Sequence, residues 1–344
     1  MGLQKETGIV IGKGTPGPKN LITDVPGVTV GHVTVQDGEI NTGVTAILPH
    51  QGNIFQDKVL AASAVINGFG KSMGLVQVEE LGTIETPIVM TNTLSIGTAA
   101  TALVKYMLKQ NPDIGDTTGT VNPLVCECND GRLNDIRGLH VTEDHVLQAL
   151  ENTGVDFEEG AVGSGTGMCC LGFKGGIGSS SRQLELDGKT YTIGALVMSN
   201  FGSAGNLRVD GAKEGERIQA LLQAAENKDK GSIIMLIATD IPLSERQLKR
   251  VCKRAGVGLA RTGSYYGNGS GDIAIAFTTA NRVPHYSKSK IIPMAMMDDD
   301  AIDPVFRLTA DAVEEAILSS MYHAKTTVGR KGKTQLGLAE YLNK

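Results

Sequence analysis

The chain has 344 residues, of which 41% are hydrophobic and 20% charged, with a formal net charge of −5. That balance belongs to a folded globular protein and excludes a disordered one, and the acidic excess without arginine or lysine tracts argues against a nucleic-acid binder. No run of 18 apolar residues offers a membrane span, and Met1 to Gly14 lacks the basic and apolar regions of a secretory signal, so a cytoplasmic protein is expected.

In chain order, Ile22 to Thr34 reads as a turn through Pro26-Gly27 followed by an alternating strand. Thr42 to Leu48 is a second strand, and Lys58 to Gly68 a short helix ending in Asn67-Gly68. Thr86 to Met90 is an apolar strand running into the polar turn Thr91-Asn92-Thr93, and Ser95 to Leu108 is helical. Val121 to Glu127 reads as a buried strand that delivers Glu127 and Asn129 at its end. Gly160 to Ser181 is a glycine-dense loop; its Gly163-x-Gly165-x-Gly167 matches neither phosphate-binding spacing, so it reads as a backbone-rich wall of some other site.

Thr190 to Asn200 is a strand ending in the polar pair Ser199-Asn200. Glu214 to Glu226 has helical spacing and gives way to the charged, glycine-ended loop Asn227 to Gly231. Ser232 to Ala238 is too apolar to face water on either side. Ser244 and Gln247 form a capping box for a helix carrying Leu248, Val251, Cys252 and Ala255 and closed by Gly256. A polar loop then leads to the strand Ile273 to Phe277, and Thr309 to Ala324 is a last long helix. This order suggests sheets covered by helices. No linker, repeat or low-complexity block interrupts it, so one domain over residues 1–344 is expected. The 44 glycines imply many tight turns and close backbone approaches, as in a layered, β-rich enzyme.

Five cysteines, an odd number without C-x-x-C spacing, fit a reducing compartment. Cys126-x-Cys128 has no second pair, and the six histidines form no ligand motif, so no metal and no cofactor is expected. Nor do they supply a readable Ser-His-Asp triad. Gly231-Ser232, however, stands where a polar loop meets a doubly buried strand. If the peptide bond before Ser232 is cut, the serine gains an α-amine with a reference pKa of about 7.7–8.0, able to act as its own general base. Gly231, lacking Cβ, tolerates the backbone geometry that attack by the hydroxyl requires.

Several longer motifs accompany that junction. They are ITDVPGVTVGH from Ile22, NGFGK from Asn67, ELGTIETPI from Glu80 and TNTLSIG from Thr91, followed by NDGRLNDI from Asn129, GSGTGM, FKGGIGSSSR, GSIIMLIATDIPL and GLARTGS. Taken in order they make the chain similar to the aminopeptidases that include the L-aminopeptidase/D-Ala-esterase/amidase and the β-peptidyl aminopeptidases, enzymes with a self-generated N-terminal serine.

The resemblance implies an α+β fold, a four-layer αββα sandwich like that of N-terminal-nucleophile hydrolases but with different connectivity. It implies self-cleavage into 1–231 and 232–344, and a homotetramer of cleaved protomers acting on short peptides or amino-acyl amides and esters. Ser232 then matches the nucleophile and Gly231 the residue left of the cut. Ser270 and Asp272 match the pair that orients the new amine, and Asn200 an oxyanion donor. Glu127 matches the carboxylate that holds the substrate ammonium, with Asn129 sharing in the oxyanion site. The competing role for Glu127 is structural, with an internal Arg or Lys as its partner, Arg132 being near in sequence. Two further readings compete: an acyltransferase of the ornithine-acetyltransferase type, disfavoured by serine in place of threonine at 232, and a non-catalytic nucleotide- or ligand-binding protein built on the glycine loop.

Overall fold

The computed structural model describes residues 3–222 and 231–342. Two sheets lie face to face. Strands β1 (Thr29–Asp37), β2 (Ile40–Leu48), β5 (Ile88–Asn92) and β6 (Leu124–Cys128) form one sheet in the order β1-β2-β5-β6. The other holds β3 (Asp57–Gly68), β4 (Thr83–Ile84), β7 (Gly176–Leu186), β8 (Lys189–Asn200), β9 (Gly231–Thr239) and β10 (Ser270–Pro284), in the order β4-β3-β10-β9-β8-β7. Helices α1 (Ile96–Gln110) and α2 (Glu143–Glu151) cover the first sheet, and α3 (Glu245–Arg261) and α4 (Asp303–Tyr322) cover the second. The architecture is a four-layer αββα sandwich.

Strand periodicity explains the layering, because successive side chains of a strand point to opposite faces. Along β9, Ile233, Met235 and Ile237 enter the core beneath α3 and α4, while Ile234, Leu236 and Ala238 enter the core between the sheets. Along β6, Val125 faces α1 and α2, whereas Leu124, Cys126 and Cys128 face the other sheet. The two cysteines of the Cys126-x-Cys128 pair are thus small buried core residues.

Two segments differ from their sequence reading. Lys58 to Gly68, alanine-rich and expected to be helical, is strand β3, paired antiparallel with β10. Burial on both faces overrides propensity there: Ala61 enters the inter-sheet core and Ala62 the helix-side core. Gly176 to Ser181, expected as loop, opens strand β7. Its small residues let α4 lie directly on the backbone; a Cβ on Gly178 would stand 2.0 Å from the Ala316 carbonyl oxygen. The capping box of α3 is present at Ser244 and Gln247, but the helix runs past Gly256 to Arg261. The helix expected over Glu214–Glu226 is seen as Glu214–Leu222; residues 223–226 of that helix and 227–230 of the following loop lie outside the described residues.

Candidate active site

The pairing of β8, β9 and β10 gathers polar residues at one end of these interior strands. β8 ends where β9 begins, since the two are antiparallel with Asn200 opposite Ser232. β9 and β10 are parallel, so both begin at the same end, with Gly231 opposite Ser270 and Ser232 opposite Gly271. Ser270 and Asp272 share a face, and the Ser270 hydroxyl donates to the buried Asp272 carboxylate at 2.8 Å. Ser232 is 5% exposed.

Gly231 is required by packing. Its φ is +155°, and a Cβ there would lie 1.8 Å from the Asn200 carbonyl oxygen. The strand therefore passes the end of β8 more closely than any residue with a side chain allows.

Asn200 is held at both ends of its amide. Its Oδ1 accepts from the Cys169 N–H at 2.9 Å, and its Nδ2 donates to the Asn129 carbonyl oxygen at 3.0 Å. The Asn129 side chain is turned elsewhere, its Oδ1 accepting from the Gly131 N–H at 2.9 Å. Asn129 thus reaches Asn200 through its backbone.

Glu127 arrives from the opposite sheet, at the end of β6, and is 2% exposed. One carboxylate oxygen accepts from the Lys71 N–H at 2.8 Å and the other from the Thr93 hydroxyl. Thr93 is set in place by Asn92, whose Oδ1 accepts from the N–H groups of Leu94 and Ser95 and caps the turn. Arg132, the internal partner considered for Glu127, donates instead to Gln335 Oε1 at 2.9 Å. Among the described residues Glu127 has no cationic side chain bonded to it. Across the sandwich, the Cys128 thiol donates to the Met198 carbonyl at 3.6 Å. Burial, with the charges of Glu127, Cys126 and Asp272 behind it, pushes that thiol well above its ordinary pKa.

A cavity of about 700 Å3 opens between these elements, and Glu127, Asn129, Asn200, Gly231 and Ser232 all line it. Ser270 and Asp272, on the strand paired beside Ser232, are buried. Lys71, Thr93, Arg132, Lys333 and Gln335 add polar groups to its wall and Phe69 an apolar one. Of these, Thr93 sits in a turn legible in sequence, while Lys333 and Gln335 come from a C-terminal hairpin with no local signal.

The glycine loop has the wrong polarity for phosphate. Gly165, Met168 and Gly175 turn their carbonyl oxygens onto the buried Lys174 ammonium at 3.0, 2.7 and 2.8 Å, whereas a phosphate cradle presents N–H groups. Burial lowers the Lys174 pKa to about 8. Burial likewise raises the neighbouring Asp130 carboxyl to about 7, against hydrogen bonds from Thr42 and Asn134 and the charge of Lys174. Among the described residues no three His, Cys, Asp or Glu side chains are placed to hold a metal ion.

An αββα sandwich with a serine at the head of an interior strand is the arrangement of hydrolases related to the N-terminal-nucleophile fold. The structure superposes with a TM-score of 0.89, at 37% identity over 98% of both chains, on the L-aminopeptidase D-Ala-esterase/amidase of Ochrobactrum anthropi, described as a variant of that fold. The chain belongs to Peptidase family S58, whose model matches residues 20–335, and is a hydrolase of peptide bonds. It is 40% identical to a β-peptidyl aminopeptidase of Sphingosinicella microcystinivorans, over 93% of this chain and 86% of that one. A Burkholderia β-aminopeptidase matches at 40% identity with a TM-score of 0.92, covering 100% of this chain and 98% of the other. A Pyrococcus horikoshii OT3 protein matches at 54% identity with a TM-score of 0.95 and the same coverage.

Proposed function

We propose that this peptidase is a self-processing serine aminopeptidase and amidase, with Ser232 as nucleophile and its own α-amine as base. One observation carries the reading: Ser232 and Glu127, a buried carboxylate with no cationic partner among the described residues, face the same cavity from opposite sheets. The names of the relatives, β-peptidyl aminopeptidase and L-aminopeptidase D-Ala-esterase/amidase, support the substrate class.

In maturation the Ser232 hydroxyl attacks the Gly231 carbonyl carbon. The C–N bond breaks as the ester forms, and the departing amine takes up the hydroxyl proton. Water then hydrolyses the ester, leaving a Gly231 carboxylate and a free Ser232. In turnover the new amine takes the Oγ proton as Oγ attacks the substrate carbonyl, and passes it to the leaving amine; water then hydrolyses the acyl ester, with the amine again taking the proton, and restores Ser232. Ser270, with Asp272 behind it, stands opposite Gly231 and so beside that amine. The Asn200 amide, fixed by Cys169 and Asn129, stabilises the oxyanion. Glu127 pairs with the substrate ammonium and thereby selects free amino termini.

Denaturing mass spectrometry tests the first step: fragments 1–231 and 232–344 are expected, the second beginning Ser-Ile-Ile-Met. Ser232→Ala should give one uncut, folded chain inactive on amino-acyl p-nitroanilides. A different new terminus, or turnover by that variant, would overturn the assignment. A homotetramer of cleaved protomers belongs to the same reading and is tested by light scattering.

A further inference from the structure

The cavity carries more positive charge than its proposed chemistry uses. Lys71, Arg132 and Lys333 line it together with a single carboxylate among the described residues, Glu127, in a protein whose formal charge is −5. Lys71 serves Glu127 through its backbone N–H, and its ammonium lies over the Phe69 ring, 4.4 Å from the centroid. Arg132 and Lys333 have no such use.

Arg132 is held in place. Its Nε–H donates to Gln335 Oε1 at 2.9 Å, and the Gln335 amide in turn donates to the Gly172 carbonyl. Gln335 is buried, so the guanidinium is anchored by a fixed side chain through one edge. Its two terminal amino groups have no acidic partner among the described residues, and such a pair is the fork that takes a carboxylate with two parallel hydrogen bonds. Lys333 stands two residues from Gln335, in a hairpin tied back to the Arg132 turn by the Arg330 N–H donating to Leu133 O at 2.7 Å.

The two charged poles fall on different parts of the cavity. Glu127 is bonded to Lys71 and Thr93. Arg132 is bonded to Gln335, and Gln335 to the Gly172 carbonyl, three residues from Cys169, whose N–H holds the Asn200 amide opposite Ser232. A substrate whose ammonium is on Glu127 and whose carbonyl is at Ser232 would direct its leaving group away from Glu127, toward the cations.

We infer that Arg132 and Lys333 form a subsite for a carboxylate on the leaving-group side, so that the preferred substrates are short peptides ending in a free carboxylate. The inference rests on the aminopeptidase reading and refines it: Glu127 takes one end of a zwitterion and Arg132 the other.

The test uses matched substrates of one amino acid chosen for fast p-nitroanilide hydrolysis: its dipeptide with alanine, the same dipeptide amide, and the amide of its dipeptide with aspartate. The native enzyme should favour the dipeptide over its amide by about tenfold in kcat/KM, chiefly through KM, and the preference should shrink as salt rises. Arg132→Gln should lower kcat/KM for the dipeptide about tenfold more than for its amide, and Lys333→Gln should act in the same sense by less. A gain of the aspartate amide over the alanine amide equal to that of the dipeptide would uphold the subsite and place the carboxylate on a side chain. Equal native rates on dipeptide and amide, or an equal loss on both in Arg132→Gln, would overturn the inference while p-nitroanilide hydrolysis kept the aminopeptidase reading intact. No hydrolysis of any free-amine substrate would remove both.

Discussion

Glu127→Gln separates charge from shape at the cavity. The carboxylate is buried, accepting from the Lys71 N–H and the Thr93 hydroxyl. A glutamine has the same outline: its amide oxygen can keep the Lys71 N–H while the Thr93 hydroxyl rotates to accept from its NH2. What disappears is the negative charge, and among the described residues no other acid lines the cavity. Removing one partner of a desolvated ammonium–carboxylate pair costs roughly 2–5 kcal/mol. The cavity is open to water, so the lower end applies, and kcat/KM for free-amine substrates should fall by about 30-fold at 1.4 kcal/mol per tenfold. Self-cleavage involves no substrate amine and should proceed as in the native protein. The assay compares an amino-acyl p-nitroanilide with its N-acetylated form, for native and variant enzymes whose maturation has been checked by mass. N-acetylated substrate should be poor with the native enzyme and change little in the variant. Equal native hydrolysis of the two, or a variant that keeps the native preference for the free amine, would refute the role given to Glu127.

Gly231→Ala should slow maturation at least tenfold, because its Cβ would lie 1.8 Å from Asn200 O and 2.7 Å from Phe201 Cα, forcing β8 and β9 apart at the site at a cost of about 1–3 kcal/mol; native-rate cleavage on a time-resolved gel would contradict this. Chelators should leave p-nitroanilide hydrolysis intact; loss with EDTA and recovery with a divalent ion would contradict that. Asp130 holds its proton up to about 7 in the folded protein against an ordinary value of 3.8. Between those values the folded state binds more protons than the unfolded, so this group makes stability fall as pH rises. Asp130→Asn should flatten the fall in denaturation midpoint between about pH 4 and 7; an unchanged slope would show that the carboxyl ionises normally.

The parts of the fold that are legible in the sequence are those where side-chain pattern and burial agree. Ser232 to Ala238 reads as a doubly buried strand because both of its faces enter cores. The start of α3 is written in Ser244 and Gln247, whose capping bonds are both made. Glu127 and Asn200 stand at or near the ends of apolar strands, and it is the resemblance to known aminopeptidases that singles them out. The alanines of β3 and the glycines and serines of β7 could not be read, since helices packed against them dictate their conformation. The local bond of the Asn129 Oδ1 to the N–H of Gly131, two residues on, was not legible in the sequence. Arg132 and Lys333 carry no sequence signal as a pair; the buried Gln335 and the bond from Arg330 to Leu133 bring them to one cavity.

The parallel pairing of β9 with β10 reaches beyond the site. Those two strands lie side by side within the larger sheet, flanked by β8 on one side and β3 on the other. A break in the backbone before Ser232 would therefore divide the polypeptide into two pieces that are interwoven rather than adjacent. The shorter piece would supply the middle of the sheet and, through α4, a lid over β7 and β8 of the longer one. Neither could depart without tearing hydrogen-bond ladders on both flanks of its strands. Such a nicked molecule should migrate as one particle on gel filtration, melt in one transition, and fail to reassemble from separately produced halves.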